Sequence, residues 1–147
     1  MLALEIDKAD IKGFMGQLLK GELFDAFEVR SVDMTAGVRF NIEGMLAETG
    51  FVRWAVLRQV IYEIIKVSPK PQLIKIVFSY GADNMVQVHP NAAALFLNLI
   101  YEHDSIHFTT ATAQKAFALD KSLEMAWDER VRLFFHKSGI KLTDRLI

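Results

Sequence analysis

The residues with most to offer chemically stand together in YEHDSIHF, Tyr101 to Phe108, where Glu102, His103, Asp104 and His107 put two carboxylates and two imidazoles into six positions. Imidazole nitrogens and carboxylate oxygens are the usual protein ligands of divalent metals when no thiolate is present, so these four form a candidate metal site. A two-residue turn at Asp104-Ser105 would pair Glu102 with His107 across a hairpin and leave His103 on the opposite face. The stronger reading is a solvated hairpin tip. Metal sites gather ligands from several elements, and no His-x-x-x-His or Glu-x-x-His on a helix supports this one.

Other constellations are thinner. His89 precedes Pro90 without a neighbouring carboxylate, and His136 falls near a helix C-terminus, where the helix dipole favours positive charge. A Ser-His-Asp arrangement has no Gly-x-Ser-x-Gly elbow to locate its nucleophile. Gly13-Phe14-Met15-Gly16 is formally a Gly-x-x-Gly of the kind that clamps a nucleic-acid backbone, but its interior is apolar, which favours close packing of a helix on a sheet. No phosphate-binding loop and no cofactor is implied.

Charge distribution says more than the net value of −1. Lys8, Lys12 and Lys20 oppose only Asp10 in one stretch, and Arg53, Arg58 and Lys66 oppose only Glu63 in a second. In a third, Arg130, Arg132, Lys137, Lys141 and Arg145 oppose only Asp144. If these faces converge, Lys12, Arg53, Arg58, Arg130 and Arg132 are the residues to contact phosphates. Solvated helix faces also carry Lys and Arg for no such reason, and that is the simpler account.

The elements that must position these groups follow from periodicity. Leu2 to Ile6 reads as a strand, and Ile11, Phe14, Met15, Leu18 and Leu19 as a helix stopped by Gly21. Phe27 to Val32 and Val38 to Leu46 read as a hairpin around Thr35-Ala36-Gly37. A second helix runs from Val52 to Val67, with Val52, Ala55, Val56, Val60, Ile61 and Ile64 as its apolar stripe, and Pro69 and Pro71 end it. Leu73 to Tyr80 is a strand with Ile74, Ile76 and Phe78 on one face. Gly81 to Asn91 has room for a short helical turn. Leu95 to Tyr101 and Ile106 to Thr112 form a second hairpin. The last helix is capped by Asp120 or Ser122, carries Leu123, Ala126, Trp127, Val131, Phe134 and Phe135 on its buried stripe, and stops at Gly139.

The expected order is β-α-β-β-α-β-β-β-α, an α+β domain with a mostly antiparallel sheet and about three helices packed on it. At 147 residues and 52% hydrophobic composition the chain fits one domain, residues 1–147, with a core large enough to need no staple. Residues 140–147, with Ile140, Leu142, Leu146 and Ile147, form a candidate interaction tail, and self-association is the expected use. The absence of cysteine excludes disulfides and thiolate chemistry. Glu5 and Asp7 interrupt the opening before an export signal forms, and Glu63, Lys66 and Asn98 break the longest apolar runs, so a cytoplasmic protein without membrane spans is expected.

The segment FTTATAQKAFALDKSLEMAWDERVRLFFHKSGI, with LFLNLIYE before it and the opening MLALEIDKADIKGFMGQLL, resembles a small family of uncharacterised bacterial proteins, a domain of unknown function. TTAT at 109–112, LDKSLE at 119–124 and AWDE at 126–129 are its most distinctive parts. The resemblance implies a bacterial, cytoplasmic protein and transfers no catalytic residue, though it draws attention to Asp120, Trp127 and Asp128. A looser analogy of pattern links the strand-turn-strand rhythm LFLNLIYEHDSIHFTTAT to DNA sliding clamps, whose domains turn basic helices toward the duplex. Strong core patterning without a coherent catalytic constellation leads to a non-enzymatic binding or protein-interaction module. Nucleic-acid binding by the basic helices and a metal-dependent enzyme at the hairpin are the alternatives.

Overall fold

A computed structural model describes residues 1–46 and 48–145. Seven strands form one sheet in the order β3-β2-β4-β5-β6-β1-β7, with every neighbouring pair antiparallel. The strands are β1 (Ala3–Ile6), β2 (Glu28–Ala36), β3 (Val38–Glu43), β4 (Leu73–Ser79), β5 (Ala92–Glu102), β6 (Ser105–Gln114) and β7 (Leu142–Asp144). The helices are α1 (Ile11–Leu19), α2 (Trp54–Val67), α3 (Ala82–Val88) and α4 (Ser122–Lys137). The α+β architecture is as the periodicity predicts, with a fourth helix in the ambiguous 81–91 stretch and a seventh strand inside the expected tail. Leu142 and Thr143 pair with Ile6 and Glu5, so part of that tail completes the sheet edge. Ile140 and Leu142 pack against the core, whereas Leu146 and Ile147 lie outside the described residues.

Alternation along the strands sends one set of side chains toward the helices. Val32, Met34, Ile74, Ile76, Phe78, Leu97, Leu99 and Phe108 belong to this set and are fully or almost fully buried. Helices α1, α2 and α4 all pack on this face. Phe14 of α1 meets Phe108 at 5.7 Å, Trp54 of α2 meets Phe78 at 5.4 Å, and Phe135 of α4 meets Phe108 at 4.8 Å. Phe24, between α1 and β2, stacks on Phe78 at 4.9 Å at the centre of this aromatic core. Both indoles find acceptors as buried N–H groups must: Trp54 Nε1 donates to the Leu18 carbonyl at 2.9 Å and Trp127 Nε1 to the Phe96 carbonyl at 2.8 Å.

Among the described residues, no helix covers the opposite sheet face. Its side chains, among them Asp33, Lys75, Val77, Asn98, Ile100, His107 and Glu5, are half-buried or exposed, which an antiparallel sheet tolerates.

Several local expectations are corrected. Helix α2 begins at Trp54 and buries Trp54, Leu57 and Ile61, leaving Val56 and Val60 61% and 50% exposed. The large indole at the first turn sets the rotation of the helix. Val52 instead belongs to the preceding strand-like segment, where its N–H meets the Gly44 carbonyl and its carbonyl the Val29 N–H. A Cβ added at Gly13 or Gly16 would meet open space, so neither glycine mediates packing of α1 on the sheet. Helix α4 matches its predicted stripe, with Leu123, Trp127, Val131 and Phe135 buried. It ends on Gly139 at φ +73°, with Ile140 N–H returning to Phe135 O and Gly139 N–H to His136 O, the Schellman arrangement that a left-handed glycine permits.

Candidate functional site

The YEHDSIHF hairpin turns one residue earlier than predicted. His103 and Asp104 occupy the turn at φ 51° and 55°, and the ladder pairs Glu102 with Ser105, Tyr101 with Ile106 and Ile100 with His107. A tight hairpin turn of this hand needs two consecutive left-handed residues, a conformation that Asp and His adopt more readily than most. Glu102 and His107 are therefore not cross-strand partners. Asp104 accepts from Lys70 Nζ at 2.8 Å and from the Tyr101 hydroxyl at 3.3 Å, and the lysine holds its carboxyl below the usual range. His107 sits between β5 and β1, opposite Ile100 and Glu5. Burial, reinforced by Arg145, lowers its pKa against the opposing pull of Glu102 and Glu5. Its Nδ1 is buried without a hydrogen-bond partner among the described residues. Among the described residues no group of three or more His, Asp and Glu is placed to hold a metal.

A serine, a histidine and an aspartate do meet elsewhere. His89 Nε2 lies 2.9 Å from Ser122 Oγ, and the Ser122 hydroxyl donates to Asp120. The direction of the bonds decides what this cluster does. Asn91 N–H donates to His89 Nδ1 at 3.0 Å, which places the imidazole proton on Nε2, where it donates to the serine. An activated serine needs the reverse, with Nε2 free to accept its proton. The cluster instead ties down the entry to α4, whose N-cap position is Lys121 rather than the expected Asp120 or Ser122: Asp120, one residue ahead, accepts the Ser122 N–H at 2.9 Å, and the Ser122 donors draw its pKa down.

The five basic residues do not act alike. Arg58 is closed by Asp25 through Nε at 2.8 Å and Nη2 at 3.0 Å, and Arg132 by Asp144 at 3.0 and 2.9 Å. Each pair satisfies the guanidinium fork inside the chain and neutralises the charge that a phosphate would use. Lys12, Arg53 and Arg130 have no carboxylate partner within 4.0 Å among the described residues.

The most unusual surface lies between β6 and α4, in a stretch that sequence patterning does not single out. Phe117 and Leu119 are 85% and 86% exposed, although their loop is firmly tied. The Asn91 side-chain amide accepts the Ala116 N–H at 3.0 Å and donates to the Ala116 carbonyl at 2.9 Å. The Gln114 amide does the same for Ala118, at 3.1 and 3.2 Å. Lys115 N–H adds a bond to the Asn91 carbonyl at 2.9 Å. Each amide reproduces the paired bonds a neighbouring strand would make, so the backbone at Ala116 and Ala118 is held in place while Phe117 and Leu119 stand in solvent. The signal available in the sequence was AFAL itself, small and large apolar residues alternating between a strand end and a helix cap.

Fold and site together define a helix-on-sheet α+β domain with one open sheet face, a Ser-His-Asp cluster at the start of α4, and an apolar knuckle held by two side-chain amides. Residues 17–143 match the model of a family of unknown function, DUF5721, and the chain belongs to that family. No curated protein and no solved structure matches the chain significantly.

Proposed function

We propose that the protein is a non-enzymatic protein-interaction module that engages its partner through Phe117 and Leu119. The observation that carries this reading is the double amide clamp by Asn91 and Gln114 on a loop whose two large apolar side chains stand in solvent. Leaving a Phe and a Leu in water forgoes about 1.5–3 kcal/mol each. A loose loop would fold them inward, and the clamps prevent that. Ordering the loop beforehand reduces the entropy lost on association, and an aromatic-aliphatic pair is the sort of anchor that fills a partner's apolar cleft. A second copy of the chain is one such partner, and a bacterial cytosolic setting belongs to the same reading.

The test is site-specific photo-crosslinking in the source cells, with a benzophenone side chain at position 115. A discrete protein adduct that disappears in the Phe117→Ser/Leu119→Ser double variant, itself folded by circular dichroism, supports the reading. No discrete adduct, an adduct that survives the double substitution, or one removed by nuclease overturns it.

A further inference from the structure

Among the arginines, Arg30 is positioned by two rings and a hydroxyl but, unlike Arg58 and Arg132, faces no carboxylate among the described residues. Strand β2 carries a bulge between Val29 and Ser31 in its pairing with β4, and Arg30 is the extra residue. The spacing of the buried residues Val29, Val32 and Met34, three and then two, marks the same irregularity in the sequence. The bulge turns the Arg30 side chain onto the helix-free face of the sheet. There its Cζ lies 3.8 Å from the Phe51 ring centroid and 5.2 Å from that of Phe96. Its Nε donates to Ser79 Oγ at 3.2 Å, and Ser79 is fully buried.

Rings and hydroxyl fix the plane of the guanidinium and use its Nε edge. Nη1 and Nη2 have no hydrogen-bond partner among the described residues and neither is fully buried, so this end of the half-buried fork is unengaged. Arg39, Arg58 and Arg132 each have an aspartate across the fork; Arg30 has no carboxylate within 4.0 Å among the described residues. A guanidinium whose conformational freedom is already removed and whose surroundings are aromatic pairs more strongly with a planar oxyanion than a free surface arginine does.

We propose that Arg30 is a receptor for a carboxylate, taken end-on and bidentate by Nη1 and Nη2, on a ligand whose apolar portion lies against Phe51, Phe96 and the half-buried Val77. The ligand class is a carboxylate next to an apolar group, as at the C-terminus or an acidic side chain of a peptide. The site is separate from the Phe117 knuckle and stands or falls without it.

The experiment follows the Arg30 Nε–Hε cross-peak by nitrogen-15 NMR, assigned by its loss in Arg30→Lys, during titration of the full chain. The probes are N-acetylphenylalanine, its carboxamide and inorganic phosphate. The expected result is a saturable shift with the carboxylate, none with the amide, and binding at least about tenfold weaker in Arg30→Lys, measured from neighbouring backbone amides, because an ammonium cannot form the fork. Ser79→Ala keeps the charge but releases the orientation, and is expected to weaken binding severalfold. A shift of equal size with the amide, a linear response without saturation, or tighter binding of phosphate than of carboxylate overturns the proposal. The wild-type titration decides between these outcomes even if a variant fails to fold, since triple-resonance correlation to the Arg30 side-chain carbons assigns the cross-peak without Arg30→Lys.

Discussion

Arg58 and Asp25 form a two-bond ion pair, Nε to Oδ1 at 2.8 Å and Nη2 to Oδ2 at 3.0 Å, between side chains only 16% and 22% exposed. The pair ties α2 to the segment between α1 and β2. Removing one member leaves the other half-buried and uncompensated, which costs more than losing an exposed surface pair. Arg58→Ala and Asp25→Ala are each expected to destabilise the fold by about 1–3 kcal/mol, with coupling in the double variant. Urea unfolding of the three variants checks this. Strictly additive losses would show that the two side chains contribute independently.

His107 gives the stability a pH dependence of known sign. Burial lowers its folded pKa below the ordinary value of 6.5, so the unfolded chain takes up a proton that the folded chain resists. Its contribution is complete above the ordinary value and declines as pH falls through it toward the folded pKa. In His107→Leu, where the unpartnered Nδ1 is also removed, the slope of unfolding free energy between about pH 7 and pH 5 is expected to be shallower than in the wild type. Losses at lower pH belong to Asp104, Asp120 and Asp144, whose pKa values are held down by Lys70, Ser122 and Arg132, and persist in the variant.

Two glycines respond oppositely to the same substitution. A Cβ at Gly44 would stand 1.8 Å from the Val29 carbonyl oxygen, where the Gly44 N–H donates to the Arg30 carbonyl at 2.9 Å. Gly44→Ala is expected to cost at least about 2 kcal/mol. Gly13 lies inside α1 with open space where its Cβ would be, so Gly13→Ala is expected to stabilise by about 0.5–1 kcal/mol through helix propensity alone. Thermal melts of both variants report the contrast.

Phe117 and Leu119 add little to the fold itself. Phe117→Ser is expected to change stability by less than about 0.5 kcal/mol, because the side chain is already in water. Gln114→Ala removes both bonds to Ala118. Hydrogen exchange at Ala118 is expected to accelerate in that variant while the amides of β5 and β6 retain their protection. Unchanged exchange at Ala118 would mean that the clamp does not hold the loop.

The strands and helices were legible where local period and stop signals agree. Leu123, Trp127, Val131 and Phe135 follow one helical stripe to Gly139, and Ile74, Ile76 and Phe78 one strand face. The periodicity alone gives α2 the wrong rotation because Val56 and Val60 are as apolar as the buried positions, and the contacts of Trp54 with Phe78 and Leu18, with the burial of Leu57 and Ile61, orient the helix. The hairpin turn was misplaced by one residue because the polar residues at the tip fit two registers, which differ in the backbone dihedrals of His103 and Asp104.

By itself the sequence determined an antiparallel α+β domain, its main elements and most of its core, since period and capping depend on neighbours a few positions apart. The tertiary structure alone decided which charged and apolar groups remain available. Arg58 is closed by an aspartate 33 positions away, while Asn91 clamps Ala116 from 25. Arg30 is oriented by Ser79 from 49. Such pairings are set by strand order and helix docking, through contacts between residues whose separation along the chain carries no periodic signal.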